Sequence, residues 1–260
     1  MPTKSLTLTI VIPVYNEEDY LSACLESIKF QTVKPDAVLV VDNNSTDQTL
    51  KVAKRYSFVK ILQENKQHQV FAQAKGFNNA KTDILGRIDA DSVLPARWVE
   101  TVKKAFEDKS VIAVTGGADP YDAPMSLIAT AIFNWYTFMV RLIDGHRKLW
   151  GANCAIRRTA WQKIRSEVLM RPDIWEDYDM TFCLNRLGRI RYIRGLRVGF
   201  SLRSMHTSFT KHMSYQFRSV RTLYYRVSGF QLVLFLILWT TTIIVYPLSA
   251  LDDWLLKRRA

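Results

Sequence analysis

The chain has 260 residues, enough for one large α/β domain or a domain with an appendage. Its 36 Lys and Arg outweigh 24 Asp and Glu, but unevenly: residues 1–140 carry 15 basic and 16 acidic side chains, whereas residues 141–226 carry 18 and 6. The three cysteines, Cys24, Cys154 and Cys183, are odd in number and form no CxxC pair, which argues against a disulfide framework or a zinc site and fits a reduced compartment.

In chain order, residues 6–12 are apolar and β-branched and predict a strand, ended by Pro13. An amphipathic stretch over 17–30 predicts a helix. Residues 37–41 predict a second strand, stopped by Asp42-Asn43-Asn44-Ser45, with a helix over 46–56. A weaker third strand at 58–62 precedes a helix at 70–80. The fourth strand, 84–88, runs into Asp89-Ala90-Asp91 and a helix at 95–108. The fifth, 111–115, is stopped by Gly116-Gly117. Short apolar runs alternating with helical ones predict a mostly parallel sheet with helices on both faces.

The polar residues that follow these strands are the informative ones. In a parallel sheet the ends of the first, second and fourth strands open on one edge, where open α/β sheets bind ligands. Asn16 and Ser45 or Thr46 are placed to cap the following helices, leaving N–H groups for an anion. Two carboxylates one residue apart suit a hard divalent cation whose shell is shared with substrate phosphates. Glu176-Asp177 adds a carboxylate from a distant part of the chain. A metal site with a detached acid or base points to group transfer from a phosphorylated donor. No GxGxxG follows the first strand and there is no GxxxxGK[ST], which disfavours a dinucleotide oxidoreductase and a P-loop NTPase.

Five motifs in order, Val11-Ile12-Pro13-Val14-Tyr15-Asn16-Glu17-Glu18, Asp42-Asn43-Asn44-Ser45-Thr46-Asp47, Arg87-Ile88-Asp89-Ala90-Asp91-Ser92, Gly151-Ala152-Asn153 and Trp175-Glu176-Asp177-Tyr178-Asp179, resemble those of family 2 glycosyltransferases, inverting enzymes of the GT-A fold. The resemblance spans about residues 6 to 190. It implies a Rossmann-like nucleotide-diphospho-sugar transferase domain over 1–226, with a nucleotide-binding half to 116 and an acceptor-side half from 117. Pro13, Tyr15 and Glu17 would line the base and ribose pocket and Asp42 would hydrogen-bond the nucleobase, UDP being the favoured nucleotide. Asn44, Arg87 and Ala90 would belong to the same donor site. Asp91 would be the main ligand of Mg²⁺ or Mn²⁺, with Asp89 facing ribose or metal and His206 as a further ligand. Gly151 and Asn153, with Ala152 between them, would sit by the donor sugar and acceptor. Asp177 would be the catalytic base, with Glu176 beside it.

The chain departs from the family pattern at Gln73, where a basic residue is usual before the fourth strand, and Lys75 is a substitute only if it faces the cleft. Gln216-Phe217-Arg218-Ser219-Val220 lacks the Arg and Trp of the QxxRW found in processive members, which favours single transfer. From Val227 to Leu251 there is no charged residue; residues 230–251 would span about 33 Å as a helix, near the thickness of a bilayer core. A C-terminal hydrophobic helix over 227–260 is therefore expected to bring the enzyme to a membrane, with its catalytic domain cytoplasmic and a glycan or lipid-linked acceptor in cell-envelope, glycan or glycolipid synthesis. The N-terminal apolar run, broken by Pro13, does not predict a secretory signal.

Three other readings compete. A polyprenyl-phosphate acceptor would need no base, because a phosphate oxygen is already ionised. A basic nucleic-acid-binding module fits the charge, but the chain carries no nucleic-acid-binding signature and no nucleic-acid partner is expected. A catalytically dead scaffold would have no need of Asp91 and Asp177.

Overall fold

The computed structural model describes residues 5–121, 135, 138–142, 145, 147–201, 203 and 209–238. The elements run β1 (Leu8–Val14), α1 (Leu21–Lys29), β2 (Ala37–Asp42), α2 (Thr49–Lys54), β3 (Val59–Gln63), α3 (Gln69–Asn79), β4 (Ile84–Arg87), α4 (Trp98–Ala105) and β5 (Val111–Pro120). A 3-10 turn (Gly151–Asn153), β6 (Cys154–Arg157), α5 (Arg158–Ile164), α6 (Glu176–Asn185), β7 (Arg189–Phe200) and α7 (Phe209–Arg226) follow. Two units divide the chain: 1–119 with 149–201, and 120–148 with 202–260.

In the first unit, the described residues form a seven-stranded sheet of order β3-β2-β1-β4-β6-β5-β7. The β1–β2, β1–β4 and β2–β3 pairs are parallel, and β6 runs antiparallel to both β4 and β5. The period-2 alternation of each strand divides its side chains between two layers. Leu8, Ile10 and Ile12 of β1 and Val38 and Val40 of β2 pack with Leu21, Leu25 and Ile28 of α1 and Trp98 and Val102 of α4. Val11, Leu39 and Val41 face the other way, onto Phe77 of α3, Trp161 of α5 and Met180 of α6. Buried on both sides, these strands had to be continuous apolar runs, which is why they stand out in the sequence.

Three expectations change. β6 is too short, at four residues, to announce itself by pattern, and it supplies the antiparallel interruption. β5 continues through Gly116-Gly117 to Pro120 instead of stopping there. A Cβ on Gly116 would lie 1.8 Å from the Leu196 carbonyl oxygen, so this glycine permits close approach of a neighbouring strand. Finally, neither α1 nor α2 has a side-chain cap. Asn16, at φ 55°, receives the Thr46 N–H on Oδ1 at 2.8 Å and gives its own N–H to Ser45 Oγ at 3.1 Å. These residues tie the loops after β1 and β2 together.

In the second unit, α7 buries Ser219, Thr222 and Leu223 and exposes Tyr215, Phe217, Tyr224 and Tyr225. Residues 229–238 are helical and expose Phe230, Val233 and Ile237. Among the described residues no helix is long and apolar enough to cross a membrane. Most of the expected hydrophobic segment, 239–260, lies outside them, as does His206.

Candidate active site

The strand registers Val14↔Asp42, Asp42↔Gln63 and Val11↔Arg87 align one edge of the sheet. Asp42 is buried there; its Oδ1 accepts the Ser45 N–H at 3.3 Å and its Oδ2 accepts Gln63 Nε2 at 2.8 Å. An ionised carboxylate has about four acceptor sites, so this one is anchored with capacity left for a ligand N–H.

Asn43, also buried, organises the loop after β3. Its Nδ2 donates to the Glu64 and Lys66 carbonyls at 2.9 and 2.8 Å, and its Oδ1 accepts the His68 N–H at 2.7 Å. Asn44 donates to the Asn65 carbonyl at 2.9 Å and to Gln67 Oε1 at 3.0 Å. His68, at φ 140° and ψ 147°, lies where glycine is normally required, and these bonds hold it there. From the end of the loop, Gln69 Nε2 reaches Asp89 Oδ1 at 3.2 Å. The loop thus runs from Asp42 to Asp89. On the β1 side Pro13 is buried, Tyr15 is 50% exposed, and the Glu17 N–H donates to Thr49 Oγ1 at 2.7 Å.

Arg87 ends β4 with its guanidinium almost wholly buried. Nη2 lies 2.8 Å from Asp89 Oδ1 and 3.3 Å from Glu176 Oε1. Burial opposes its charge, but the Asp89 and Glu176 carboxylates outweigh that and hold the guanidinium above its ordinary pKa. Burial pushes the Glu176 carboxyl up from its ordinary value; Arg87 pulls against this and the neighbouring Asp177 adds to it. Glu176 and Asp177 open α6, where the helix dipole favours acids. The Gly151 N–H donates to Asp177 Oδ2 at 3.0 Å. Thr181 Oγ1 donates to the Asp177 carbonyl at 2.6 Å and accepts the Leu149 N–H at 3.0 Å, which locks that turn to the segment before Gly151.

Asn153 is fully buried and committed to the scaffold. Its Oδ1 accepts Trp98 Nε1 at 2.8 Å, and its Nδ2 donates to the Gly117 and Leu196 carbonyls at 2.8 and 2.7 Å. Gln73 is buried on α3 with Nε2 at 3.9 Å from Met180 Sδ, and its Oε1 has no partner among the described residues. Lys75 is exposed.

Asp89 and Asp91 are both partly buried, and Ala90 between them is buried. Burial, and after it the negative charge of Asp91, Asp89 and Glu17, pushes the Cys24 thiol above its ordinary value. Asp89 and Asp91 offer carboxylate oxygens, the donor type a hard divalent cation takes. Among the described residues no three His, Cys, Asp or Glu side chains cluster to hold a metal ion.

The sequence does not single out Gln63, His68 or Gln69, and it offers Asn43 only as part of the motif after the second strand. Gln63 meets Asp42 only through the β2–β3 register, and His68 reveals itself only through its backbone angle. Asn43 carried the one available signal, its place directly after a strand beside Asp42.

Residues 9–165 match the family described as "Glycosyl transferase family 2". A 112-residue stretch is 35% identical to the glycosyltransferase GlyA of Streptococcus pneumoniae, covering 41% of this chain and 16% of that protein. A 221-residue stretch is 27% identical to the hyaluronan synthase of Pasteurella multocida, covering 78% of this chain and 21% of that one. The chain thus spans a small fraction of these relatives' length. Among solved structures, the mannosyltransferase PcManGT of Pyrobaculum calidifontis, bound to GDP-Man and Mn²⁺, matches with a TM-score of 0.63 at 20% identity, over 85% of this chain and 63% of that one.

Proposed function

The chain belongs to glycosyl transferase family 2 and is a glycosyltransferase; on that premise we propose that it moves a sugar from a nucleoside-diphospho-sugar, a UDP-sugar by preference, to an acceptor hydroxyl with inversion. The observation that carries this reading is the facing of two acid groups across one sheet edge. Asp89 and Asp91 follow β4, Glu176 and Asp177 open α6, and Arg87 touches both sides.

In this reading Asp42 receives the base N–H, while Tyr15 and Glu17 border base and ribose. Asp177 takes the proton of the acceptor hydroxyl as it attacks the anomeric carbon from the face opposite the diphosphate. The Gly151 N–H fixes one oxygen of that carboxylate and leaves the other to the acceptor. The buried Glu176 sits beside the base and adds negative charge near a sugar that becomes oxocarbenium-like. Mg²⁺ or Mn²⁺, held by Asp91 and Asp89, would neutralise charge growing on the leaving diphosphate.

The reading also takes in a glycan or lipid-linked acceptor and a membrane location with the catalytic unit cytoplasmic. Support comes from the uncharged stretch 227–251, the preceding basic surplus, and the exposed Trp135, Phe138, Tyr224 and Phe230 of the second unit.

The test is binding and hydrolysis of UDP-, GDP- and dTDP-sugars, with and without Mn²⁺, for wild type, Asp91→Ala and Asp177→Asn. One donor turned over with metal, weakened by the first substitution and slowed by the second, is the expected pattern. Full activity in Asp177→Asn would remove the base and favour a phosphate acceptor. No binding to any donor would reject the reading.

A further inference from the structure

We infer that Arg87 is a positioning residue, a strut that sets the spacing between Asp89 and the Glu176-Asp177 turn, and that it does not itself bind the donor. This rests on the transferase reading above. Arg87 stands at the ligand-facing end of β4, yet its side chain is only 2% exposed. Its contacts reach carboxylates on opposite sides of the site, Asp89 Oδ1 at 2.8 Å and Glu176 Oε1 at 3.3 Å.

On a third side the guanidinium abuts Gly151, where a Cβ would fall 1.2 Å from Nη1. The N–H of that same Gly151 holds Asp177 Oδ2. Two chains of contact therefore meet on one planar group: Asp89 to Arg87 to Glu176, and Arg87 to Gly151 to Asp177. Both carboxylates meet the same Nη2, and the planar, always-charged guanidinium holds that nitrogen in a fixed direction where a lysine offers a flexible point charge. Nε is buried without a partner among the described residues, so the side chain is held by its tip.

The reaction depends on that spacing, since displacement of a reacting group by about 1 Å lowers rate by about 100-fold. The inference assigns Arg87 an effect on turnover with little effect on nucleotide affinity.

The test measures UDP and GDP affinity by calorimetry without added metal, where Asp89 has no cation to hold, together with hydrolysis of the matching nucleotide sugars and melting temperature. The variants are Arg87→Lys, Arg87→Met, Glu176→Gln and Arg87→Met/Glu176→Gln. Hydrolysis should fall about tenfold in Arg87→Lys and about 100-fold in Arg87→Met, with nucleotide Kd changed less than about threefold. The double variant should melt above Arg87→Met alone, because the second change removes a buried carboxylate left without its cation. A Kd weakened as much as the rate would make Arg87 a donor ligand and overturn the inference. Equal melting temperatures for Arg87→Met with and without Glu176→Gln would overturn it as well. That comparison stands even if the wild type turns over no donor, a result that would count against the transferase reading instead. Should Arg87→Met not fold, Arg87→Lys carries the split between Kd and rate.

Discussion

Gly151→Ala adds one methyl group where the site has least room. The new Cβ would lie 1.2 Å from Arg87 Nη1, 2.4 Å from Cζ and 3.1 Å from Nη2. Something must move. If Arg87 swings away, it abandons Asp89 and Glu176, and breaking a buried ion pair costs about 3–5 kcal/mol. Asp89 is 35% exposed on its side chain, which places the cost near the lower end. If the backbone yields instead, overpacking costs about 1–3 kcal/mol and draws the Gly151 N–H off Asp177. Both routes converge on about 3 kcal/mol, or a melting temperature lower by roughly 6–12 °C in a domain of this size. Both also disturb the base, so donor hydrolysis should fall by about 100-fold. Thermal unfolding followed by circular dichroism, with hydrolysis on the same preparation, checks both numbers. A melting temperature within about 1 °C of wild type and unchanged hydrolysis would refute the tight fit of Arg87 against Gly151.

Asn153→Ala leaves the Trp98 N–H and two buried carbonyls without their partner, and at about 1–3 kcal/mol for each unsatisfied group the loss in urea denaturation should be at least about 3 kcal/mol. His68→Gly should exceed His68→Ala in stability by about 1–2 kcal/mol, because both lose the same side chain and only alanine keeps the strain at φ 140°; equal values would place no strain there. Glu176, raised by burial, favours the fold most below its ordinary value of 4.5 and loses that contribution as pH climbs through its raised value. Glu176→Gln should therefore gain stability relative to wild type as pH rises above 4.5 in paired chemical denaturation, and a difference independent of pH would contradict the shift.

What the sequence made legible follows from what each signal is made of. The parallel strands β1, β2 and β4 are buried on both sides, so their apolar runs appear without knowledge of the fold, whereas the partly exposed β3 is the weaker run. Asp42, Asp89 and Asp91 stand out in the sequence because they directly follow strands, whereas Glu176 and Asp177, acids at a helix start where the dipole ordinarily favours them, stand out only through the motif series. Gln63 and Gln69 are ordinary exposed amides whose contacts with Asp42 and Asp89 arise from register and loop path. Gly116 looked like a terminator because glycine stops strands and also lets them pass closely, and the sequence does not separate the two. Asn16 and Ser45 were assigned as caps, the commonest use of such residues, whereas the structure spends them between two loops.

The central claim, inverting transfer by a base on α6, is most directly tested by following the sugar released from an α-linked UDP-sugar by proton NMR before it mutarotates. The account predicts that the β-anomer appears first and that Asp177→Asn slows its release by about 100-fold or more. The α-anomer appearing first would contradict single displacement at this site.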